Sequence, residues 1–465
     1  MNSPTELSLL LRIALPLSLA YLAEYAMFIM TKIVVGKLGY LELASVGISA
    51  SLTFELLVVM MGLLSIVGVL CAQAEGGGEK QAAGVATRQG LLLSTIMGVP
   101  AMFGIWHMDA ILEITGQDPD VVRLSRPFLH TLSFCVLPVL YFAVLRNFVS
   151  AIAKPMSVMV ITVAAVGVNY LLTVWLVHGG LGLEAMGVAG AGLAMTIVSW
   201  LMFFALLGYI YITRTFRGYG VFASAWSVDF TICREIVYLG IPVAGLVLLE
   251  AGMFTAASIL SGIISAETLA AYEIVVAWAG IPFVLAMGFA EGTMVRVAHR
   301  MGASELVQAR RSGLLGMGTG AGILVVLMVI PLAFASVIVD IFIAPEDPGY
   351  AVVAMLATQF MIVAAAFQVF DGLQAIAARA LRALKDSIAP LWIAGVGYWI
   401  LGIGGGSLLA FYFGWNGLGI WSGMAMGLFT TSLLLTWRFN QLSKRIIIEN
   451  ETATGNKDLQ SERNL

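Results

Sequence analysis

Charged residues are scarce in this chain, and their scarcity excludes an ordinary soluble protein. Only 11% of the 465 residues are Asp, Glu, Lys or Arg, whereas 60% are hydrophobic. Soluble domains carry about a quarter charged residues. Since a globular core could not bury so much apolar surface, the composition predicts a protein that lies within a lipid bilayer.

Cysteine and histidine are also rare, which limits the chemistry that the chain could perform. The three cysteines, Cys71, Cys135 and Cys233, have no paired spacing and predict neither a disulfide framework nor a metal site. The four histidines are scattered, and the chain lacks the HExxH and GxSxG patterns of membrane proteases and hydrolases. The EGGGEK turn at 75–80 lacks the Gly-Lys-Ser/Thr ending of a phosphate loop. We therefore expect no enzyme, no ATP-driven pump and no cofactor.

Long hydrophobic runs are abundant. A membrane-spanning helix needs about 20 apolar residues, and the runs between polar breaks predict about twelve spans. They lie at 8–32, 43–71, 85–107, 126–150, 157–178, 186–212, 233–258, 270–295, 308–336, 353–380, 386–413 and 416–440. The first run is not followed by a small-residue cleavage site, so we interpret it as a retained helix. The predicted fold class is an all-α integral membrane protein.

The basic residues indicate which span ends face the cytoplasm. With the N-terminus inside, nearly all of the 24 Lys and Arg residues, Arg146 among them, fall at or near cytoplasmic ends. Only Lys32, Lys37, Arg123 and Arg126 fall outside. This positive-inside bias predicts a multi-pass plasma-membrane protein with both termini in the cytoplasm.

The second half of the chain repeats the first. Ile13-Ala-Leu-Pro16 aligns with Leu239-Gly-Ile-Pro242, and in the same register Glu24 aligns with Glu250. Each half then holds six spans, so the halves should be related by a pseudo-two-fold axis along the membrane normal. We expect an N-terminal six-helix lobe at 1–212, a cytoplasmic linker at 213–232, a C-terminal six-helix lobe at 233–445 and a disordered tail at 446–465.

Acidic residues inside the spans are the strongest functional signal, because an ionised carboxylate is costly in hydrocarbon. Glu24 and Glu55 lie in the first two spans, at a similar depth, and could share a proton. Glu250 and Asp371 lie in the seventh and tenth spans. Glu273 lies near an end of the eighth span, where an interface position is the alternative. Glu55 and Glu273 are further candidates for coupling or substrate contact.

Two prolines accompany the acids that the repeat makes equivalent. Glu24 and Glu250 each follow a proline, Pro16 or Pro242, by two helical turns. A proline loosens the helix backbone, so both prolines are candidate hinges. Lys32, further along the first span, could neutralise an acid or contact substrate, although we favour its snorkelling to the outer surface.

Six segments carry a family resemblance. They are IALPLSLAYLAE in the first span, GLLSIVGVLCAQAEGGGEK at the end of the second, LRNFVSAIAKP and GVAGAGLAMTIVSW around the fifth and sixth, LGIPVAGLVLLEAGMF in the seventh and VFDGLQAIAARALRALKD in the tenth. The order and spacing of these segments carry the resemblance. The chain resembles the multidrug and toxic compound extrusion (MATE) transporters, in particular the NorM-type branch, over essentially its whole length.

The resemblance implies a fold and a coupling site. It implies a monomer in the bacterial inner membrane with two six-helix lobes in a V shape, and coupling-cation binding at Glu250 and Asp371 in the C-terminal lobe. The acid that the family usually carries in the first helix falls on Thr31 and is missing. Glu24, seven residues earlier on the same helical face, is our candidate replacement. Carboxylate oxygens suit Na⁺ and a protonated carboxyl suits H⁺, so both ions stay open.

The predicted function is antiport of small organic compounds against H⁺ or Na⁺ by rocker-switch alternating access. The acids, together with 23 Met, 10 Trp, 13 Tyr and 24 Phe, favour aromatic and often cationic substrates. We expect membrane lipid around the protein and no nucleic-acid partner. A flippase for a lipid-linked intermediate on a related fold is the alternative, although such proteins tend to line their cleft with basic residues. An intramembrane enzyme is the remaining alternative.

Overall fold

The computed structural model describes residues 5–180, 182–223, 227–342 and 349–463, without the side chains of residues 40 and 453–463. Over these ranges the regular structure is helical, apart from one antiparallel bridge between Gly180 and Leu183. The first helices are α1 (Glu6–Gly36), α2 (Tyr40–Leu64), α3 (Ile66–Gly76), α4 (Lys80–Trp106), α5 (Met108–Ile114), α6 (Pro119–Ser133), α7 (Val136–Ala151), α8 (Met156–His178) and α9 (Val188–Ile212). They are followed by α10 (Phe230–Ile264), α11 (Ala266–Gly302), α12 (Leu306–Leu327), α13 (Val329–Phe342), α14 (Tyr350–Ala383), α15 (Ile388–Ala394), α16 (Gly405–Ser407) and α17 (Asn416–Arg463).

Within these described residues, the membrane-spanning pattern follows the hydropathy of the sequence. Ten helical runs are long and apolar enough to cross a membrane. Two bent pairs add one span each: α6 with α7, bent by 46°, and α12 with α13, bent by 42°. With each pair counted as one span the total is 12, so the predicted all-α membrane fold is confirmed.

Local sequence explains where these helices begin and end. α8 ends at His178 because Gly179 adopts a φ of 78°, a left-handed conformation that glycine reaches without strain, while its N–H donates to the Trp175 carbonyl at 2.8 Å. α11 begins after Ser265, whose hydroxyl accepts the backbone N–H of Thr268 at 3.0 Å.

The eleventh span has an unusual backbone. Its α15 and α16 alternate with π-helical segments at Gly395–Gly404 and Leu408–Tyr412, a wide helical form that often occurs at functional positions. Glycines let this span approach α17 closely. A Cβ at Gly423 would lie 2.2 Å from the Cα of Gly406, and a Cβ at Gly427 would lie 2.4 Å from the Gly397 carbonyl oxygen.

The chain divides into two compact units. The N-terminal unit comprises Leu15–Glu75 and Glu79–Leu248, and the C-terminal unit comprises Met1–Ala14, Gly76–Gly78 and Leu249–Leu465. One boundary thus falls inside α1, just before Pro16, and another inside α10, after Pro242. The lobe boundaries expected from the sequence and the hinge role of both prolines stay predictions.

The last helix is longer than expected. The backbone of α17 is helical to Arg463, whereas we expected disorder over 446–465; residues 464–465 lie outside the described residues. Arg445 and Glu449 form an i,i+4 ion pair at 2.7 Å, which favours continuation of the helix. In the expected linker, residues Arg214–Tyr219 form a short 3-10 helix.

Candidate functional site

The C-terminal unit brings two predicted acids into one polar network. Gln374 of α14 bridges them: its Nε2 donates to Glu250 Oε1 of α10 at 3.2 Å and to Asp371 Oδ1 of α14 at 3.5 Å. Tyr398, on the first π-helical segment, donates its hydroxyl to Gln374 Oε1 at 2.7 Å. The network joins three spans, and the groups that hydrogen-bond to the two acids are neutral.

The environment of this network suits a bound cation. Asp371 and Gln374 lie three residues apart, so they share one face of α14. Asp371 is 3% exposed and Tyr398 is 0% exposed, while Glu250 is half-buried. Arg379 of α14 acts electrostatically on Glu250 and balances part of the charge. Two negative charges exceed this one positive charge, so the pair stays unfavourable unless a further cation balances it. A proton on one carboxyl would do so, and so would a hard cation such as Na⁺ among carboxylate, amide and phenol oxygens.

The described residues hold no cluster of three or more His, Cys, Asp or Glu placed to bind a metal ion. A Na⁺ at this network would therefore need neutral oxygen ligands besides the two carboxylates. Glu273 does not join the network: it is exposed on α11, and its Oε1 accepts a hydrogen bond from Ser258 Oγ of α10 at 2.7 Å.

Glu24, in the N-terminal unit, has a basic partner. Arg146 Nη1 of α7 donates to Glu24 Oε1 of α1 at 2.6 Å. The guanidinium also lies 4.7 Å from the ring centroid of Tyr21 and 6.0 Å from that of Phe142. The sequence equivalence of Glu24 and Glu250 therefore does not extend to their hydrogen-bond partners, since Glu24 accepts from an arginine and Glu250 from an amide that it shares with a second acid.

A cavity of ≈ 160 Å³ lies beside this ion pair, within the N-terminal unit. Glu24 and Arg146 are the charged residues of its lining, and their side chains are 31% and 8% exposed. The remaining wall is apolar or neutral and includes Phe28, Phe54, Phe142 and four methionines.

Thr31 occupies the place where the resemblance leads us to expect an acid. It is buried on α1, its hydroxyl donates to the Met27 carbonyl at 3.0 Å, and it accepts Asn169 Nδ2 of α8 at 3.3 Å. A neutral hydrogen bond between α1 and α8 thus stands there in place of a carboxylate.

The other candidates near Glu24 are placed differently from what we expected. Glu24 has Arg146 rather than Glu55 as its partner, and Glu55 is exposed on α2. The shared proton that the sequence suggested as an option for Glu24 and Glu55 therefore has no support in the geometry. Lys32 lies with its Nζ 4.3 Å from the ring centroid of Phe28, which lines the cavity. Whether these residues contact substrate or ion stays a prediction.

Comparison with known proteins identifies the family. The MatE family profile matches residues 16–175 and 242–407, one match in each half of the chain. The chain belongs to the MatE family. Two similar relatives are both named Probable multidrug resistance protein NorM. The protein from Mesorhizobium japonicum is 34% identical over 436 residues, which is 93% of each chain, and that from Pseudomonas aeruginosa is 32% identical, over 96% of this chain and 92% of the relative.

Solved MATE structures show the same fold. The eukaryotic MATE transporter AtDTX14 superposes with a TM-score of 0.84 at 22% identity, covering 95% of this chain and 98% of that one. An outward-facing multidrug resistance MATE transporter of the MOP superfamily superposes with a TM-score of 0.86 at 16% identity, covering 95% of this chain and 97% of that one. The predicted membership of the MATE family and its NorM-type relatives is confirmed.

The sequence did not identify four residues that contact the predicted site residues of this MatE-family protein, namely Gln374, Tyr398, Arg146 and Asn169. Gln374 could have been found from its position one helical turn after Asp371. Arg146 could have been found because a basic residue inside an apolar run is a functional signal in itself. Tyr398 and Asn169 carry no such signal, since their partners come from other spans.

Proposed function

We propose that this MatE-family protein is a secondary active multidrug exporter that exchanges small organic compounds for H⁺ or Na⁺ by rocker-switch alternating access. The observation that carries the proposal is the network of Glu250, Asp371 and Gln374, in which two acids share one neutral bridge. The NorM-type relatives, named multidrug resistance proteins, support the substrate half of the proposal.

Coupling follows from the charge of the network. Without a bound cation the two carboxylates repel each other, and with one bound the repulsion is removed. A cation can drive a conformational change only if it binds one conformation more tightly than the other. Since Gln374 and Tyr398 belong to different spans, a shift of either span would alter the network and hence its affinity for the ion.

The cellular setting is part of the proposal. The bacterial relatives support a place in the inner membrane, and the basic residues at one set of span ends support cytoplasmic termini. We propose a monomer that needs no cofactor besides the coupling ion, with small organic substrates, cationic drugs among them, and membrane lipid as its contacts.

Transport by purified protein in proteoliposomes tests the proposal. Ethidium transport is measured with a pH gradient and a Na⁺ gradient imposed separately. We expect one gradient to drive transport and Glu250→Gln and Asp371→Asn each to reduce it by about tenfold or more, because neither variant can form the doubly acidic network.

Glu267→Gln is the matched control, because Glu267 is an exposed acid in the first turn of α11 of the same unit. This variant should keep the wild-type rate of gradient-driven ethidium transport. If Glu250→Gln and Asp371→Asn kept that rate too, the assignment of the coupling site would be wrong. A wild-type protein that responds to neither gradient would contradict ion-coupled drug export and favour the flippase alternative.

A further inference from the structure

Glu291 is a buried acid that lies outside the network of Glu250 and Asp371. It belongs to α11, is 6% exposed, and its Oε2 has no hydrogen-bond partner among the described residues. An unpaired carboxylate inside a membrane is costly, and such an acid is by default a candidate functional residue. In the register of the repeat, Glu291 aligns with Ser65, so the acid occurs in the second half of the chain alone.

The arginines of α11 are engaged by a different acid. Arg296 follows Glu291 by five residues, but its Nε and Nη2 each donate to a carboxylate oxygen of Glu6 at 2.8 Å. Arg300 also donates to Glu6, at 2.9 Å. In the described structure Glu291 therefore has no arginine of its own helix as a partner, although two lie within three turns of it.

The helix of Glu291 runs parallel to the helix of Asp371. A Cβ at Gly372 of α14 would lie 2.9 Å from the Cβ of Ala286 of α11, so these two residues are at one level. Further along both helices, Ile376 of α14 and Phe289 of α11 lie against the same glycine of α12. Residue numbers thus rise together along α11 and α14.

Glu291 is displaced from Asp371 toward the C-terminal ends of the two helices. It lies five residues beyond Ala286, whereas Asp371 directly precedes Gly372. At 1.5 Å per residue the displacement along the helix axes is about 9 Å. Within α11 and α14, both of which are described in full, Glu291 is the one acid between the level of Asp371 and these ends, which we propose to face the cytoplasm.

Glu291 and Asp371 also lie on one side of this helix pair. The other side is covered by α12, whose glycines lie against Phe289 and Thr293 of α11 and against Ile376 of α14. Successive helical residues are turned by about 100°, so Glu291 points about 160° away from both Phe289 and Thr293. Asp371 points about 140° away from Ile376. Both carboxyl groups therefore face away from α12.

We propose that Glu291 is a proton-carrying residue that exchanges protons between the Glu250–Asp371 network and the cytoplasm. The proposal deepens the proposed function, rests on it for the role of the network, and names H⁺ as the coupling ion. In each transfer one carboxyl O–H bond breaks and another forms, and water carries the proton over the intervening distance. A single carboxyl can hold a proton, whereas a hard metal cation needs several oxygen ligands.

Charged groups around the level of Glu291 provide a counter-charge when its proton leaves. Those on α11 and on the helices beside it are Arg296 of α11, Arg379 and Asp371 of α14, Arg311 of α12, Glu6 and Arg12 of α1, and Glu250 of α10. Basic groups outnumber acids in this set, apart from Glu291 itself. None of them hydrogen-bonds to Glu291 in the described structure, so its proton is not locked in a fixed contact.

Infrared difference spectroscopy of the full-length protein in lipid nanodiscs tests the proton site directly. Difference spectra between low and high pH contain the C=O stretch of each buried carboxyl that releases its proton. We expect one such band of wild-type protein to be absent from Glu291→Gln, because an amide has no carboxyl proton to release. The band should remain in Glu267→Gln, which changes an exposed acid of the same helix. Identical bands in wild-type protein and Glu291→Gln would overturn the proposal.

Transport in proteoliposomes distinguishes a proton carrier from a structural acid. Under a pH gradient, Glu291→Gln should lower the maximal rate of ethidium transport by about tenfold or more, because proton exchange with the cytoplasm slows. The proton concentration for half-maximal transport should stay within about twofold of wild type, since Glu250 and Asp371 are intact. Glu291→Asp keeps a carboxyl and should recover part of the rate. A structural role would instead lower the melting temperature of both variants without this recovery.

The two measurements separate failure of this proposal from failure of the proposed function. Driven transport that is unchanged in Glu291→Gln, or that follows a Na⁺ gradient alone, would refute the proposal and leave the exporter standing. A wild-type protein that responds to neither gradient but shows the Glu291 band would contradict the exporter and support the proton site. Should Glu291→Gln not fold, Glu291→Asp decides, because it should shift the band, and an unshifted band would refute the proposal.

Discussion

Tyr398 sets the direction in which the amide of Gln374 faces. Its hydroxyl donates to Gln374 Oε1 at 2.7 Å, which turns the amide nitrogen toward Glu250 and Asp371. Without that hydroxyl the amide can rotate. For Tyr398→Phe we expect the ion concentration for half-maximal transport to change by roughly fivefold, as for the loss of one hydrogen bond worth about 1 kcal/mol, while the maximal rate is retained.

The control for this prediction is Tyr272→Phe. Tyr272 is also buried in the C-terminal unit, but its hydroxyl donates to the Phe254 carbonyl at 2.9 Å, outside the network. The ion dependence of transport should stay as in wild-type protein. Equal changes in both variants would show that the effect comes from loosened packing and not from the orientation of Gln374.

At the scale of single residues, the sequence identified acids and overlooked their partners. Glu250 and Asp371 were predictable because a carboxylate in an apolar run is conspicuous and because the family resemblance placed both. Gln374 and Tyr398 are neutral, so they stand out less, and their contacts depend on how separate spans pack. Arg146 was counted with the cytoplasmic basic residues, although its side chain is buried against Glu24 of a different span.

At the scale of helices, hydropathy predicts the spans because each must cross about 30 Å of hydrocarbon. It does not register the bends between α6 and α7 or between α12 and α13. Each bend is followed within four residues by a proline, Pro138 or Pro331, which lacks the N–H of a helical hydrogen bond. The π-helical segments of the eleventh span were equally hidden. They lie against α17 at glycines, and the close approach can be read only when both helices are placed.

This close approach can be tested with one methyl group. Gly423→Ala would place a Cβ 2.2 Å from the Cα of Gly406, so backbone must move. We expect the variant to lose about 1–3 kcal/mol of stability and to melt at a lower temperature in detergent. Gly318→Ala is the control: a Cβ there meets nothing within 4 Å, so stability should stay equal or rise by up to about 1 kcal/mol. Equal melting temperatures for Gly423→Ala and wild-type protein would contradict tight packing at this site.

At the scale of the whole molecule, α1 is shared between the two compact units. Its first residues belong to the C-terminal unit, where the carboxylate of Glu6 accepts two hydrogen bonds from Arg296 at 2.8 Å, one from Arg300 at 2.9 Å and one from Ser312 at 2.8 Å. From Leu15 onward α1 belongs to the N-terminal unit. Any movement of one unit against the other during the proposed transport cycle must therefore deform α1, as it must deform α10, which also crosses a unit boundary.

Pro16 lies at the point where α1 passes from one unit to the other, and we predict that it absorbs this movement. Proline lacks an N–H, so the backbone hydrogen bond to the residue four positions earlier is missing and the helix bends more easily there. Pro16→Ala restores the bond. The variant should gain up to about 3 kcal/mol of stability. Its turnover should fall several-fold, with an unchanged affinity for substrate, because a stiffer α1 slows the change between conformations.

Turnover and half-saturating substrate concentration in proteoliposomes, measured beside melting temperature, check this prediction. Pro100→Ala is the control, because Pro100 also lies inside a helix, α4, but both ends of that helix belong to the N-terminal unit. It should gain stability without losing turnover. If Pro16→Ala were more stable and transported equally fast, the flexibility of α1 at this proline would not limit transport. Pro242 would then be the next position to test, because it lies in α10, a helix that also crosses a unit boundary.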